Sequence, residues 1–376
     1  MGKVKSLSFS GGASVTAPTD LTTTSDQNAI INGNFDFWQR GNATTAVTTY
    51  TYLADRWMCS ESTDGTATIE RSTDVPSSSD TKFPATYSLL YTVTGADASI
   101  GATQNASIRQ NIEGYNWAPF HGGQNIVLSF WVKSSLTGTF CVGIKNSAGN
   151  RAIVKEYTIS SANTWERKTI TLATDTAGTW LADNSVGAAV LWTLAAGSDF
   201  QTTAGAWAAG NYFATSNQAN LFSSTHTFRL AQVMLHKGTA AETFCRAAPT
   251  IQQERQLCER YYEKSYSIDT VPGTNTAVNY FNRVDFASNA TTTTGISHEF
   301  RVPKRSDTVT ATTYAQDGTA GNLNGYGVTI GSFEVAATAT NVDANRFVTY
   351  FNGTMSGATT GQCIQQCGHW TAECEL

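Results

Sequence analysis

Aromatic rings and amides are the side chains of this sequence best suited to chemistry, and that chemistry is binding. The 376-residue chain carries 9 Trp and 14 Tyr in a background rich in Thr, Asn and Gly. The C–H face of a sugar ring packs on an aromatic ring, and its hydroxyls pair with Asn, Gln and Asp. The pattern favours a sugar-binding surface, and packing in a core or an interface is the alternative for each ring taken singly.

The candidates are the aromatic residues that fall outside the apolar strand-like runs. Six side chains meet this condition: Tyr50, Tyr52, Trp117, Trp180, Trp207 and Tyr212. Within this set we predict glycan binding by Trp117, Trp207, Tyr52 and Tyr212.

No catalytic constellation is evident in the sequence, and we predict that the protein is not an enzyme. The carboxylates Asp36, Asp55, Glu113 and Glu166 are scattered, whereas a glycosidase needs two carboxylates about 5–10 Å apart. The stretch FHGGQN at 120–125 resembles an esterase oxyanion loop, but the sequence has no G-x-S-x-G nucleophile motif. A turn that enters a strand is the simpler interpretation of FHGGQN.

The seven cysteines are irregularly spaced, so they predict no disulfide framework and fit synthesis in a reducing cytoplasm. CIQQCGH at 363–369, followed by Cys374, offers four soft ligands that could hold zinc. The Cys-x3-Cys spacing departs from common zinc knuckles, and the segment reads as a strand. Ordinary packing is therefore the favoured interpretation of these residues.

The charge balance argues against a nucleic-acid partner. The net charge is −5 and the pI is about 5.6, whereas nucleic-acid binding needs a concentrated basic face. No apolar run reaches the length of about 18 residues that a membrane-spanning helix requires. We therefore expect neither nucleic-acid binding nor membrane insertion.

The order of the elements predicts an all-β chain with one helix. Short strand-like runs, broken by Gly, Asn, Ser and Pro, continue to about residue 247 and resume near residue 270. Strands at this spacing, without helices between them, predict antiparallel sandwiches. Charged residues make up only 14% of the chain, so the surfaces of these sandwiches are expected to be neutral and polar.

The helix is predicted between the two sets of strands. Pro249 marks its start, and Ile251, Leu257, Tyr261 and Tyr262 follow at roughly helical spacing over about 12–16 residues. The Tyr261–Tyr262 pair is predicted as an interface anchor. It would contact copies of the same chain or bridge the two sandwiches.

Five motifs carry a family resemblance. They are INGNFDFWQRG followed by LADRW (31–41 and 53–57), IVLSFWVKS (126–134), FRLAQVMLHKGTAAETF (228–244), PTIQQERQLCERYYE (249–263) and WTAECEL (370–376). Together they resemble a widespread group of bacteriophage and prophage virion proteins, usually described as tail fibre or structural proteins.

The first half also resembles the jelly-roll carbohydrate-binding modules of polysaccharide-degrading enzymes, which often open with Asn-Gly-x-Phe-Glu. This resemblance implies a structural calcium ion held by Asp36 and the Gly33 carbonyl. Those modules supply a second carboxylate where this chain has Gln232, which weakens the site. No other cofactor is expected. The same resemblance places Trp38 in the core.

The predicted fold is therefore an N-terminal jelly-roll β-sandwich, a short linking α-helix and a C-terminal antiparallel β-sandwich. Four segments divide the chain: a flexible N-terminal tether or docking segment (1–27), a carbohydrate-binding-module-like jelly roll (28–247), the linking helix (248–268) and the C-terminal β-sandwich (269–376).

The resemblances imply a structural component of a bacteriophage virion, with a tail fibre or appendage that recognises a host-surface glycan as the first hypothesis. Such a protein would be assembled in the host cytoplasm as a homo-oligomer, with a trimer favoured. Its partners would be other virion proteins and host cell-surface polysaccharide. A head-decoration, neck or baseplate protein without a ligand is the alternative, and an accessory domain of a capsule-degrading enzyme is the third hypothesis.

Overall fold

The computed structural model describes residues 28–44, 46–77, 84–289, 291–327, 330–355 and 357–376. The predicted tether, 1–27, lies outside the described residues. None of the described helices is long and apolar enough to cross a membrane.

The first half of the chain forms two facing antiparallel sheets. Seven strands build the first sheet, in the spatial order β1 (Thr51–Tyr52), β2 (Met58–Glu61), β5 (Asn105–Glu113), β10 (Val186–Ala196), β7 (Gly138–Lys145), β8 (Ala152–Ile159) and β11 (Trp207–Ala208). Five strands build the second, in the order β3 (Thr66–Ser72), β4 (Ser88–Gly95), β12 (Thr227–Lys237), β6 (Asn125–Ser134) and β9 (Glu166–Ala173). The connections include a one-turn helix, α1 (Gly114–Trp117), and two 3₁₀ turns, Ser198–Phe200 and Leu221–Ser223.

Alternation along the strands decides which face of each sheet is buried. Ile108 of β5 belongs to the core between the sheets, whereas its neighbour Arg109 lines a cleft on the opposite face. The rings of Trp57, Phe130 and Trp192 fill the core, with both Trp57 and Phe130 at 5.5 Å from Trp192 between ring centroids. This apolar layer holds the two sheets together.

The second half of the chain forms one eight-stranded antiparallel sheet around two apolar clusters. Its strands are β13 (Tyr262–Lys264), β14 (Phe281–Phe286), β15 (Ile296–Glu299), β16 (Thr310–Tyr314), β17 (Asn322–Gly327), β18 (Gly331–Thr340), β19 (Arg346–Phe351) and β20 (Cys363–Glu373).

The last strand, β20, is the centre of this sheet. It pairs with β14 and β17 up to residue 368, and with β13 and β16 beyond it. A Cβ atom at Gly368 would lie 2.5 Å from both Leu323 Cδ2 and the Tyr314 carbonyl oxygen. Glycine therefore lets the strand change partners at this point. The predicted all-β fold class is confirmed: antiparallel sheets form both halves of the chain, and a short helix lies between them.

The linking helix, α2 (Ile251–Glu259), has 9 residues and is shorter than predicted. It begins at Thr250, whose hydroxyl accepts a hydrogen bond from the Gln253 N–H at 3.2 Å, as an N-cap does. It ends before Tyr261 because that ring packs with Ile31, Phe37 and Cys258 in a small apolar cluster. Tertiary packing has overridden the helical spacing of the sequence.

The helix holds the segment that precedes the first sandwich strand. The buried carboxylate of Glu254 accepts hydrogen bonds from the backbone N–H of Asn32 at 2.6 Å and of Ala248 at 2.7 Å. Lys264, the last residue of β13, donates to the Gln39 carbonyl at 2.7 Å. The motifs at 31–41 and 249–263, which carry the most specific part of the family resemblance, are therefore in direct contact.

A buried ion pair joins the same segment to the end of the chain. The Arg56 guanidinium pairs with the Glu375 carboxylate and donates to the Asn111 carbonyl at 2.6 Å. It also lies 3.5 Å from the centroid of the Tyr261 ring. We call this cluster of Arg56, Asn111, Tyr261 and Glu375 the junction.

Tyr261 and Tyr262 pack inside this chain, where they join its two halves. Tyr261 is fully buried and donates its hydroxyl proton to Glu113, while Tyr262 lies under the Arg40 guanidinium at 3.8 Å. The other predicted role of this pair was a contact with another copy of the chain. That prediction is corrected, because neither ring reaches the surface.

Removal of the junction cation is expected to destabilise the protein. Arg56→Met leaves the buried Glu375 carboxylate with Arg40 alone. We expect a loss of roughly 2–4 kcal/mol in the free energy of unfolding, measured by urea denaturation. The control is Arg346→Met, whose ion pair with Asp343 is exposed and should change stability by about 0.5 kcal/mol or less. Equal effects of the two variants would contradict this account of the junction.

Glu254 makes stability depend on pH. Burial raises the pKa of its carboxyl from 4.5 to about 7, so the folded protein binds this proton more tightly than the unfolded chain. The resulting stability is complete below pH 4.5 and is lost as pH rises through about 7. Wild type should lose roughly 2–3 kcal/mol relative to Glu254→Gln between about pH 5 and pH 8. Denaturation at several pH values measures this difference, and a constant or growing advantage of wild type would be inconsistent with it.

Candidate functional site

Two of the four predicted glycan-binding residues lie in one tryptophan cluster. Trp117 is fully buried between Phe120 and Trp180, at ring distances of 6.1 and 5.6 Å. Trp207 meets Trp180 edge to face at 5.4 Å and donates its indole N–H to the Ala173 carbonyl. Trp117 is therefore corrected to a core residue, since no ligand can reach its ring, and only the edge formed by Trp180 and Trp207 is partly exposed.

The other two predicted glycan-binding residues lie apart from this cluster and from each other. The Tyr52 hydroxyl donates to the Leu376 carbonyl at 3.1 Å, and burial raises the pKa of Tyr52 to about 12. The Tyr212 ring packs against Gly210, where a Cβ atom would lie only 2.2 Å from it. Tyr52 therefore binds the end of the chain, and Tyr212 packs within its own loop.

The residues predicted to hold calcium are bound to protein groups. The Asp36 carboxylate pairs with the Arg246 guanidinium at 2.8 Å, and the Gly33 carbonyl accepts the Val233 N–H at 2.8 Å. The Arg246 guanidinium at the Asp36 carboxylate repels a cation, so this pair of donors does not fit a calcium ion. Gly33 is required for packing, because a Cβ atom there would lie 2.1 Å from the Val233 carbonyl oxygen.

The cysteines and His369 near the chain end are not arranged as a metal centre. His369 stacks on Tyr266 at 3.8 Å, and the Cys374 thiol contacts Ser306. Among the described residues, no group of three or more His, Cys, Asp or Glu side chains could hold a metal ion.

A cleft on the outer face of the seven-stranded sheet is the candidate site that combines an exposed aromatic ring with polar side chains. It encloses about 230 Å³. The outward-facing side chains of β2, β5, β10 and β7 form its floor: Ser60, Ser107, Arg109, Leu191 and Lys145. The Ser60 and Ser107 hydroxyls lie 3.0 Å apart across neighbouring strands, so they can exchange hydrogen bonds with a ligand.

Two segments of irregular structure wall the cleft. Tyr50, which is 65% exposed, stands on one side with its ring 5.5 Å from the Arg109 guanidinium. Phe200 and Phe213 stack at 4.8 Å on the other side and carry Asn211 to the rim. Gly143 of β7 allows this approach, because a Cβ atom there would lie 2.7 Å from Phe213. The cleft thus presents an exposed aromatic ring, hydroxyls and an amide.

Two cations lie in the cleft without a carboxylate partner among the described residues. Burial lowers the pKa of Arg109, while the nearby Tyr52 and Tyr50 act in the opposite direction. Burial and the repulsion of Arg109 together lower the pKa of Lys145 to about 8. Lys145 donates to Asn211 Oδ1 at 2.5 Å, and Arg109 Nε is buried without a hydrogen-bond partner.

Sequence reasoning missed most of this cleft. Tyr50 belongs to the six aromatic candidates but not to the four selected, and neither Arg109 nor Lys145 is among the predictions. The available signal was the alternation of polar and apolar residues in the strand SIRQNI. Arg109 places a charge on the face opposite to that of Ile108. The loop that carries Phe200 and Phe213 over the sheet had no such signal.

Comparison with known structures finds several carbohydrate-binding modules that each cover about half of this chain. A family 61 module, solved in complex with β-1,4-galactotriose, covers 56% of this chain and 99% of its own, with 10% identity and a TM-score of 0.29. A family 4 module covers 55% and 98%, with 12% identity and a TM-score of 0.30. The C-terminal family 22 module of Clostridium thermocellum Xyn10B covers 51% and 98%, with 13% identity and a TM-score of 0.28. At these scores the likeness carries no argument about ligands.

No family model matches the chain, and no curated protein matches it in sequence.

The two aromatic sites should differ in their effect on folding. Trp117→Ala removes a fully buried ring and is expected to cost roughly 3–5 kcal/mol of unfolding free energy. Tyr50→Ala removes an exposed ring and should cost about 0.5 kcal/mol or less. Urea denaturation of both variants measures this, and a small loss for Trp117→Ala would restore that residue as a candidate ligand contact.

Proposed function

We propose that this protein binds a glycan, without catalysis, in the cleft between Tyr50 and the Phe200–Phe213 loop. One observation carries the proposal: an exposed tyrosine flanks a cleft on the sheet face that is lined by polar side chains. The ring offers a stacking surface for a sugar, and Ser60, Ser107 and Asn211 offer hydrogen bonds to its hydroxyls.

The architecture supports a rigid site. The floor residues lie on central strands of the sheet, so their side chains are held by the ladder and by the core beneath it. Arg109 pairs in register with Leu191 and Met58 on the two neighbouring strands. A ligand would therefore meet a preformed surface and impose little ordering cost on the protein.

The biological setting that we propose is a bacteriophage virion appendage that contacts host-surface polysaccharide. This part of the proposal rests on the sequence motifs and goes beyond the cleft itself. Assembly as a homotrimer is part of the same proposal. Three sites of roughly millimolar affinity, engaged together, can exceed a single site by about 10²–10⁴, so a shallow cleft would suffice for attachment.

Binding to an array of bacterial and plant polysaccharides tests the proposal, followed by calorimetric titration of the best oligosaccharide. Tyr50→Ala should weaken this binding by about tenfold or more, because it removes the stacking ring. Tyr115→Ala is the matched control, since Tyr115 is 60% exposed, lies on α1 and does not line the cleft. It should leave the affinity unchanged.

Two results would contradict the proposal. The first is glycan binding that Tyr50→Ala leaves intact, which would place the site elsewhere, for instance at Trp180 and Trp207. The second is the absence of binding to any polysaccharide together with stoichiometric incorporation into phage particles, which would favour a decoration or connector protein.

A further inference from the structure

The cleft contains a charge pattern that a neutral sugar does not explain. Arg109 and Lys145 lie on β5 and β7, with β10 between them, so the two strands that carry them are about 10 Å apart. Both side chains line the cleft. Arg109 acts on the charge of Lys145, so the two cations repel each other across the floor.

Several other partly buried cations of the molecule have carboxylate partners, whereas Lys264 donates to three backbone carbonyls. Arg56 pairs with Glu375, Arg151 with Asp175, Arg246 with Asp36 and Arg260 with Glu113. Within the described parts of the chain, Arg109 and Lys145 have none. Desolvated charges without a partner cost stability, and such groups concentrate at functional sites.

The one carboxylate that lines the cleft does not neutralise these cations. Glu61 accepts hydrogen bonds from the backbone N–H and the hydroxyl of Thr63, and it acts on the charge of neither cation. The contacts of Arg109 are a sulfur at 3.5 Å, Met58 Sδ, and the Tyr50 ring. Its Nε–H is buried and has no hydrogen-bond partner in the described part of the chain.

We propose that the ligand is an acidic glycan, one whose sugar carries a carboxylate that enters the cleft between Arg109 and Lys145. This inference rests on the proposed function and adds the chemical class of the ligand. A guanidinium donates two parallel N–H bonds to a carboxylate, and the Lys145 ammonium adds a point charge. The Tyr50 ring, beside Arg109, would stack on the same sugar unit.

The probes are acidic polysaccharides paired with their neutral forms: polygalacturonate, alginate, hyaluronate and acidic bacterial capsule polysaccharides, each beside the same polymer after reduction of its carboxyls to hydroxymethyl groups. We expect binding to at least one acidic polymer and a loss of about ten- to hundredfold on reduction. Binding should also weaken as salt rises from about 50 mM to 500 mM, because screening reduces the attraction.

Variants assign this preference to the two cations. Arg109→Gln and Lys145→Gln should each weaken binding to the acidic polymer by about tenfold or more, and Arg109→Lys should recover part of the loss because it keeps the charge. Arg283→Gln is the control, since it removes one exposed cation on β14 and leaves the cleft intact. Thermal unfolding confirms that each variant is folded.

The outcomes separate the two proposals. Equal affinity for a polymer and its reduced form, with binding that needs Tyr50 but not Arg109 or Lys145, would overturn the acidic-glycan inference and leave glycan binding in place. Binding to none of the polymers, acidic or neutral, would overturn both.

Discussion

The ion pair between Arg56 and Glu375 is the interaction on which the rest of the structure depends. It joins residues 319 positions apart, and it is buried under the Tyr261 ring. The backbone of Arg56 adopts a positive φ of 72°, which costs energy for a non-glycine residue. The hydrogen bond to the Asn111 carbonyl and the ion pair with Glu375 hold the Arg56 side chain, so this turn is bound to the end of the chain.

The cleft is connected to this junction through β1 and β2. Tyr52 on β1 reaches the chain end through its hydroxyl and pairs in register with Met58 on β2. Met58 in turn contacts Arg109 on the floor of the cleft. Contacts with the junction therefore hold β1 and β2, the strands beside Tyr50 and Arg109. The core holds the central strands of the sheet.

The sequence predicted the elements well and the site poorly, for physical reasons. The run VGAAVLWTLAA at 186–196 coincides with β10, because a strand buried on both faces is apolar throughout. The aromatic candidates were less reliable, because composition does not report exposure. Trp117 and Tyr50 look alike in sequence, yet one lies under Trp180 and the other faces solvent. Asp36 resembles a calcium ligand until Arg246, 210 residues away, is placed beside it.

A crystal structure of the protein with the best-binding acidic oligosaccharide tests the central claim most directly. We expect a sugar ring stacked on Tyr50, with its carboxylate within hydrogen-bond distance of the Arg109 guanidinium and its hydroxyls on Ser107 or Asn211. A saccharide ordered at the Trp180–Trp207 edge or on the C-terminal sheet, with the cleft unoccupied, would contradict it.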